Sequence, residues 1–369
     1  MKLGLVYYSN GTDGVGIDNK MDAFFSAGIK LNIKTTSFKL YSNGLINEFM
    51  QLLTIVKAQE DVFLIRYNNS KNFILFLAII YFKFNRKKVI LDVPTPIISF
   101  LKELRIISSG SLSLKALIII LSTYLLGPLP FIFSDLVVQY AEESSFFNPK
   151  VVKQILLGNG IDSQNIINLL NKNKKTEKSS IGIELINHNH LNLVSIGNNA
   201  PWHGWDKLIR LIPEINLSRK TPINFFIIGD GPGIEALKVD VKKRGLENTV
   251  HFLGRQNREN YVSFISQCDL GVSTLSWEVV GVRVASPLKS REYICCGIPV
   301  VFTAYDKDLS NTNYGYEISC DDKSIFDFFT RLEKIYLNKN KEQYFQFANE
   351  SLDMKKKLQF ILEKINYNL

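Results

Sequence analysis

The feature that most restricts this chain's fold is a repeating order: a short apolar run, a polar or glycine-bearing turn, then a stretch of helical character. In the first half such runs fall at residues 3–8, 62–65, 89–91 and 136–138; in the second they fall at 191–196, 225–228, 250–254, 270–274 and 300–302. Runs of apolar residues without alternation suit strands covered on both faces, the condition of a parallel sheet. Strand, turn and helix in repetition make an α/β chain of doubly wound sheets. Because the order restarts near residue 190, the chain reads as two β/α domains facing across a cleft, over residues 1–165 and 185–353. Residues 171–180, rich in lysine, asparagine and serine, have little to bury and read as the loop after the domain boundary.

Helices are expected at about 18–27, stopping at Gly28, at 72–84, in the amphipathic stretch after Trp205, and at 259–267. In open parallel sheets, ligands lie beyond the carboxyl ends of the strands. Arg66, Tyr67 and Asp92 stand there in the first half, although each is equally suited to an ion pair or a cap. Lys20 is a charge at the rim of the first loop. In the second half, Gly229 and Gly231 follow a strand where only a small backbone can pass close to a neighbour.

Residues 285–302 hold the densest chemistry. Ser286 is a good N-cap and Pro287 fits a first helical position. Gly297 stands where a helix stops, and Pro299 forbids its continuation. A helix start offers free N–H groups and a partial positive charge to a phosphate. Lys289 adds a full charge in the first turn, and Glu292, one turn on, can accept hydrogen bonds from a sugar diol. The arrangement suits a nucleotide diphosphate and its ribose. An ordinary surface helix with solvated charges would carry the same residues.

The chain has 369 residues, 46% of them hydrophobic, which suffices for two filled cores, and a net charge of +9. That charge favours an acidic partner: a nucleotide, a nucleic acid or an anionic membrane. Without an arginine-rich arm, RNA-binding aromatics or zinc spacing, nucleic acid is set aside. The cysteines, Cys268, Cys295, Cys296 and Cys320, form no C-x-x-C pair and are expected as thiols in a cytosolic compartment. The amino-terminal residues read as a strand and not as a signal peptide. Residues 116–133 are the most apolar stretch, short for a bilayer and interrupted by Gly127, Pro128 and Pro130. A buried helix is expected there, or one lying on a membrane with Lys102, Arg105 and Lys115 beside it, attached peripherally to anionic lipid.

With these elements in place, the chain resembles the GT-B class of nucleotide-sugar glycosyltransferases. Within that class it is similar to glycosyltransferase family four, and to its members from bacterial capsule and exopolysaccharide clusters. The resemblance rests on Gly197 followed by His203-Gly204, on Gly229-Asp230-Gly231-Pro232, on Phe252-Leu253-Gly254 and on Cys268-Asp269. Above all it rests on S-P-L-K-x-R-E-Y from Ser286 and C-G-I-P-V from Cys296. In the first half, residues 14–20, Ile65-Arg66-Tyr67, Asp92-Val93-Pro94-Thr95-Pro96 and Asn159-Gly160-Ile161-Asp162 look like their counterparts.

The resemblance implies two Rossmann-like domains, the first binding acceptor and the second binding donor, with a last helix over about 354–369 packed back on the first. It implies a retaining transfer from a nucleotide-diphosphate sugar to a lipid-linked or nascent polysaccharide of capsule, exopolysaccharide or O-antigen type. No cofactor and no metal at the reacting centre are implied, and the setting is the inner face of the cell membrane. Lys289 and the backbone around Ser286, Pro287 and Leu288 would neutralise the leaving diphosphate. Glu292 would hold the ribose, and the backbone near Gln256 would line the base pocket. Gly14 and Gly16 would let the first loop close over the phosphates. Arg66, Tyr67, Asp92 and Thr95 would lie on the acceptor side.

Three departures stand out. Val284 occupies the place of a glutamate that holds the donor sugar, with Glu278 as a substitute. Asn198 and His203 stand where a phosphate-binding arginine and lysine are expected. No histidine precedes His188; His188 and His190 lie in polar sequence, and His251 reads as a strand residue. These departures keep two other readings open: a binding subunit that has lost catalysis, and a nucleotide-sugar epimerase on the same two-domain plan.

Overall fold

The computed structural model describes residues 1–9, 15–42, 44–108, 113–144, 146–148, 151–176, 182–231, 233–333 and 340–366. It divides into two compact units, Met1–Asp162 with Met354–Leu369, and Ser163–Asp353.

The first unit runs β1 (Lys2–Ser9), α1 (Val15–Lys30), β2 (Lys34–Tyr41), α2 (Leu45–Val56), β3 (Val62–Arg66), α3 (Asn72–Phe84) and β4 (Lys88–Val93). It continues through α4 (Ile97–Ile107), α5 (Leu114–Leu126), α6 (Leu129–Phe133), β5 (Leu136–Gln139) and β6 (Lys153–Leu156). The strands are parallel in the order β2-β1-β3-β4-β5-β6, so the winding reverses at β1. Val6, Phe63, Ile65, Val89 and Leu91 pack under α2, α3 and α4, while Leu3, Leu5, Leu64 and Ile90 pack under α1. Both faces are covered, which is why these strands are apolar without alternation.

α1 runs through Gly28 to Lys30 and does not stop at the glycine. A Cβ at Gly28 would lie 2.1 Å from the Thr35 hydroxyl, so the glycine admits β2 closely against the helix. Residues 116–133 also differ from a buried helix. The chain keeps right-handed helical angles through Gly127 and Pro128, but Pro128 has no N–H, and the stretch divides into α5 and α6. The stretch is long and apolar enough to cross a membrane by length and composition, yet only 28% of it is buried.

The second unit runs α7 (Ser163–Thr176), β7 (Leu191–Ile196), α8 (Trp205–Leu217), β8 (Ile223–Ile228), α9 (Ile234–Lys243), β9 (Val250–Gly254) and α10 (Arg258–Ile265). It closes with β10 (Leu270–Val272), α11 (Leu288–Cys295), β11 (Val300–Phe302), β12 (Gly315–Glu317), α12 (Asp322–Arg331) and α13 (Lys341–Phe347). Its strand order, β12-β11-β10-β7-β8-β9, reverses at β7. α7 carries helix through residues 171–176, which the composition suggested as loop; residues 177–181 lie outside the described residues. The last helix, α14 (Met354–Lys364), belongs to the first unit, where Met354, Leu358, Ile361 and Leu362 join the core under α1. Gly160 permits this, since a Cβ there would lie 2.9 Å from the Met354 sulfur.

Candidate active site

In the second unit, the reversal point between β7 and β10 is where α11 is anchored. The Tyr293 hydroxyl accepts a hydrogen bond from the Ile196 amide at 2.9 Å and donates to the Val272 carbonyl at 3.3 Å, tying the helix to both strand ends. Gly271 makes room for the ring, because a Cβ there would sit 2.3 Å from it. The buried guanidinium of Arg291 donates to Asp306 at 2.7 Å and to Asp308 at 2.9 Å, fastening the helix to the loop after β11. Ser290 and Ser273 share a hydroxyl–hydroxyl bond of 2.8 Å. The helix is therefore held on three sides, and its first turn is rigidly presented.

That first turn begins one residue later than its sequence suggests. Pro287, with φ −65° and ψ 138°, is the N-cap and Leu288 the first helical residue, so Ser286 is not the cap. The fixed φ of proline suits an extended residue as well as a helical one. Pro287 has no capping side chain to offer the amides of the first turn. Lys289 donates to the Ser273 carbonyl at 2.8 Å, and although part of its stem stays exposed, burial around the amine pushes it down to about 7.

His203 is buried beside this charge, stacked on Trp205 with centroids 5.0 Å apart. Its Nδ1 accepts from the Ala200 amide at 3.2 Å, which leaves the proton of the neutral ring on Nε2. Burial, and then the charge of Lys289, hold the ring well below its ordinary pKa. The imidazole lies against Gly197, where a Cβ would be 2.7 Å from its Cε1. A Cβ on Gly229 would be 1.8 Å from the Gly197 carbonyl, and one on Gly231 would be 2.0 Å from that of Asn198. What these two glycines admit in the first instance is the neighbouring loop, pressed backbone to backbone. Lys289, His203, Asn198, Gly229 and Gly231 thus gather at the carboxyl ends of β7, β8 and β10.

Glu292 is buried, accepts from the Tyr261 hydroxyl at 2.9 Å and lies 3.7 Å from the Arg258 guanidinium. Burial raises its pKa against the pull of Arg258 and Tyr261. Those two partners lie on α10, three residues apart on one helix face, and sequence reasoning passed over both. Gln256 donates to the Leu253 carbonyl at 2.6 Å and accepts from Asn260 at 3.5 Å. Glu278 sits on a 3₁₀ turn, Trp277–Val280, with its carboxylate 2.5 Å from the amine of Lys207. Val284 makes an isolated bridge to Tyr305 and brings no carboxylate.

The first unit has its own cluster at the carboxyl ends of β3, β4 and β5. Asp92 is fully buried; it accepts from Lys20 at 2.9 Å, from Arg66 at 2.9 Å and from the Tyr140 hydroxyl at 2.6 Å. Lys20 is a buried member of this cluster and not a rim charge, its amine 3.5 Å from the centre of the Tyr140 ring. Tyr67 turns inward: it is buried, edge-on to Phe131, and its hydroxyl donates to the Gly127 carbonyl at 3.3 Å, so it belongs to the core. Thr95 is half-buried, and its carbonyl accepts from Asn69 at 3.5 Å. Gly16 is exposed in the first turn of α1 with open space around it, and Gly14 lies outside the described residues. A cavity of about 620 Å³ beyond β5 and β6 is lined by Gln139, Glu142, Glu143, Asn148 and Gln154. Among the described residues, no group of three His, Cys, Asp or Glu side chains is placed to hold a metal ion.

Residues 176–351 match the family model described as Glycosyl transferases group 1. No curated protein matches the chain. Among solved structures, Anabaena HepE in complex with UDP-glucose is similar at a TM-score of 0.63 and 15% identity, covering 99% of both chains. Sucrose-phosphate synthase from Thermosynechococcus elongatus is similar at 0.62 and 11%, again covering 99% of both. A glycosyltransferase from Rickettsia africae follows at 0.58 and 13%, covering 100% of this chain and 99% of that one. Two parallel six-stranded sheets with their helices, and a likeness extending over the whole chain, make this the GT-B fold, with a second unit that matches the group 1 glycosyl transferases.

Proposed function

We propose that this chain is a glycosyltransferase that takes its sugar from a nucleotide-diphosphate donor bound by the second unit. The observation that carries this reading is the start of α11. A clamped helix presents its first amides beside Lys289, the neutral Nε2–H of His203 and exposed Asn198. Such an array answers the main demand of the reaction, the negative charge that gathers on the departing diphosphate. Glu292, held by Tyr261, is available to accept from the ribose hydroxyls. Because Anabaena HepE is a complex with UDP-glucose, UDP-sugars are the first donors to try. We further propose retention of anomeric configuration, no metal at the reacting centre, and a lipid-linked or nascent polysaccharide acceptor met at the inner face of the membrane.

Titration calorimetry with a panel of nucleotide sugars, followed by hydrolysis and transfer assays, tests the proposal. Glu292→Ala should weaken donor binding about tenfold, the loss of one charge-assisted hydrogen-bond acceptor. Equal binding by wild type and variant would remove Glu292 from the site. A second reading, binding without catalysis, is favoured by one observation: position 284 has no carboxylate, and Glu278 is engaged by Lys207. Donor binding with no turnover on any acceptor would select that reading. Release of an epimerised sugar without acceptor would select an epimerase.

The depressed amine of Lys289 adds a pH signature. A diphosphate binds the ammonium form, and above about pH 7 the free site has lost most of that form. Donor affinity should therefore fall as pH rises from 7 to 9, by up to about tenfold per unit, with a proton taken up on binding. Calorimetry in buffers of different ionisation enthalpy at pH 8 measures that uptake. Affinity that stays level from pH 7 to 9 would assign the charge to another group.

A further inference from the structure

We propose that the outer face of α2, α3, α5 and α6 is a docking surface for an anionic lipid bilayer. The proposal rests on the membrane setting of the reading above and names the surface that would make that contact. α2 packs on α3, and α3 packs on both α5 and α6, so their outward sides form one continuous layer. That layer is apolar where it meets solvent. Ile46 on α2 is 82% exposed, Phe84 at the end of α3 is 84% exposed, and Ile118, Leu121 and Leu125 on α5 are 60%, 62% and 66% exposed. Large apolar side chains exposed on neighbouring helices in this way point to an interaction surface.

The charge pattern says what covers it. Across the described side chains of these four helices, the acidic residue is Glu48, which is buried and paired with Lys71. Exposed Lys57 and Arg86 stand just past the ends of α2 and α3; Lys88, at the start of β4, lies beside exposed Asp61 and 3.6 Å from Asp135, so cations outnumber carboxylates at this edge among the described residues. An apolar face free of exposed carboxylates and edged by cations fits acyl chains below and anionic headgroups at the rim. A second copy joined by a two-fold axis would present the same cationic edge to itself. Spanning does not fit: although residues 116–133 are long and apolar enough to cross a bilayer, Thr123, Pro130 and Phe131 are buried in the unit, so the stretch lies along the protein.

The test uses the full-length protein and flotation with vesicles of phosphatidylcholine, with and without phosphatidylglycerol. Wild type should float with the phosphatidylglycerol vesicles and much less with phosphatidylcholine alone, and added salt should weaken the binding. Ile118→Asp with Leu121→Asp should lower vesicle binding at least about tenfold. Lys57→Glu with Arg86→Glu should remove the preference for phosphatidylglycerol. Every altered side chain is exposed, so the fold and nucleotide-sugar binding by calorimetry should be unchanged. Wild type that stays with the soluble fraction, or variants that float as wild type does, would overturn the proposal. So would a lipid-free dimer by sedimentation velocity that both variants dissociate, because a second copy would then cover the face. If vesicle binding behaves as stated but no nucleotide sugar binds, the docking surface stands and the donor assignment fails.

Discussion

Replacing Lys289 with methionine should lower kcat by about 10²–10³-fold, the loss seen when one preorganised donor to a developing anion is removed. The same change should leave the melting temperature unchanged or raise it. Both halves of this expectation follow from where the amine sits. Its hydrogen bond goes to the Ser273 carbonyl at a strand end, and burial has already pushed its pKa to about 7. A cation held there makes folding less favourable, so removing it relieves a cost, while methionine keeps the stem's volume. A group that opposes stability while facing an open helix start is the usual signature of a functional residue. Arginine at 289 should not restore turnover, since its planar fork is larger and cannot share the lysine's compact position. The measurement is a steady-state rate beside a thermal unfolding scan. A methionine variant that melts several degrees lower yet turns over at the wild-type rate would make Lys289 a structural residue.

The residues to which these roles are assigned are partly legible in the amino-acid order alone. α3 is readable to its ends, because an apolar run over residues 73–82 lies between polar Asn72 and the basic residues from Lys83 to Lys88. β2 and α2 escape such a reading: β2 lies at the sheet edge with polar residues along it, and no apolar run announces it. In the second unit, Lys289 and Glu292 stand one turn apart on a helix whose stop at Gly297 is plain in sequence. Their supports come from elsewhere in the chain. Tyr261 and Arg258 reach Glu292 from α10, and Ser273 receives Lys289 from the end of β10; sequence distance hides such pairs. Strand-end position marks candidates but does not say which way a side chain turns. Tyr67 and Arg66 are neighbours at one strand end, and one is core while the other joins an ion cluster. Hydropathy has the same blindness at residues 116–133, since it registers apolar character without saying what covers it.

Asp92→Ala should cost the first unit about 3–5 kcal/mol, a fall of about 10 °C in its melting temperature. Burial works against this carboxylate, but Lys20 and Arg66 outweigh it and hold its pKa below the ordinary value. Removing it leaves two cations close together with no counter-charge, and strands the Tyr140 hydroxyl. Lys20→Met should be far milder, because Asp92 would still accept from Arg66 at 2.9 Å and from Tyr140 at 2.6 Å. The two variants should also part in their response to pH. Burial lowers the Lys20 amine to about 7 even with Asp92 beside it, and without that partner it falls further. Across pH 6 to 9 the unfolded lysine stays protonated in either protein. The folded variant cannot keep its proton over the range where folded wild type still does. Its deficit should therefore stay level from pH 9 to about 7 and deepen as pH falls below about 7, while that of Lys20→Met should not. Urea unfolding at three pH values measures both trends. If Asp92→Ala stayed within about 1 kcal/mol of wild type at pH 6, well short of the penalty for a stranded buried charge, the cluster would not be the closed electrostatic unit described.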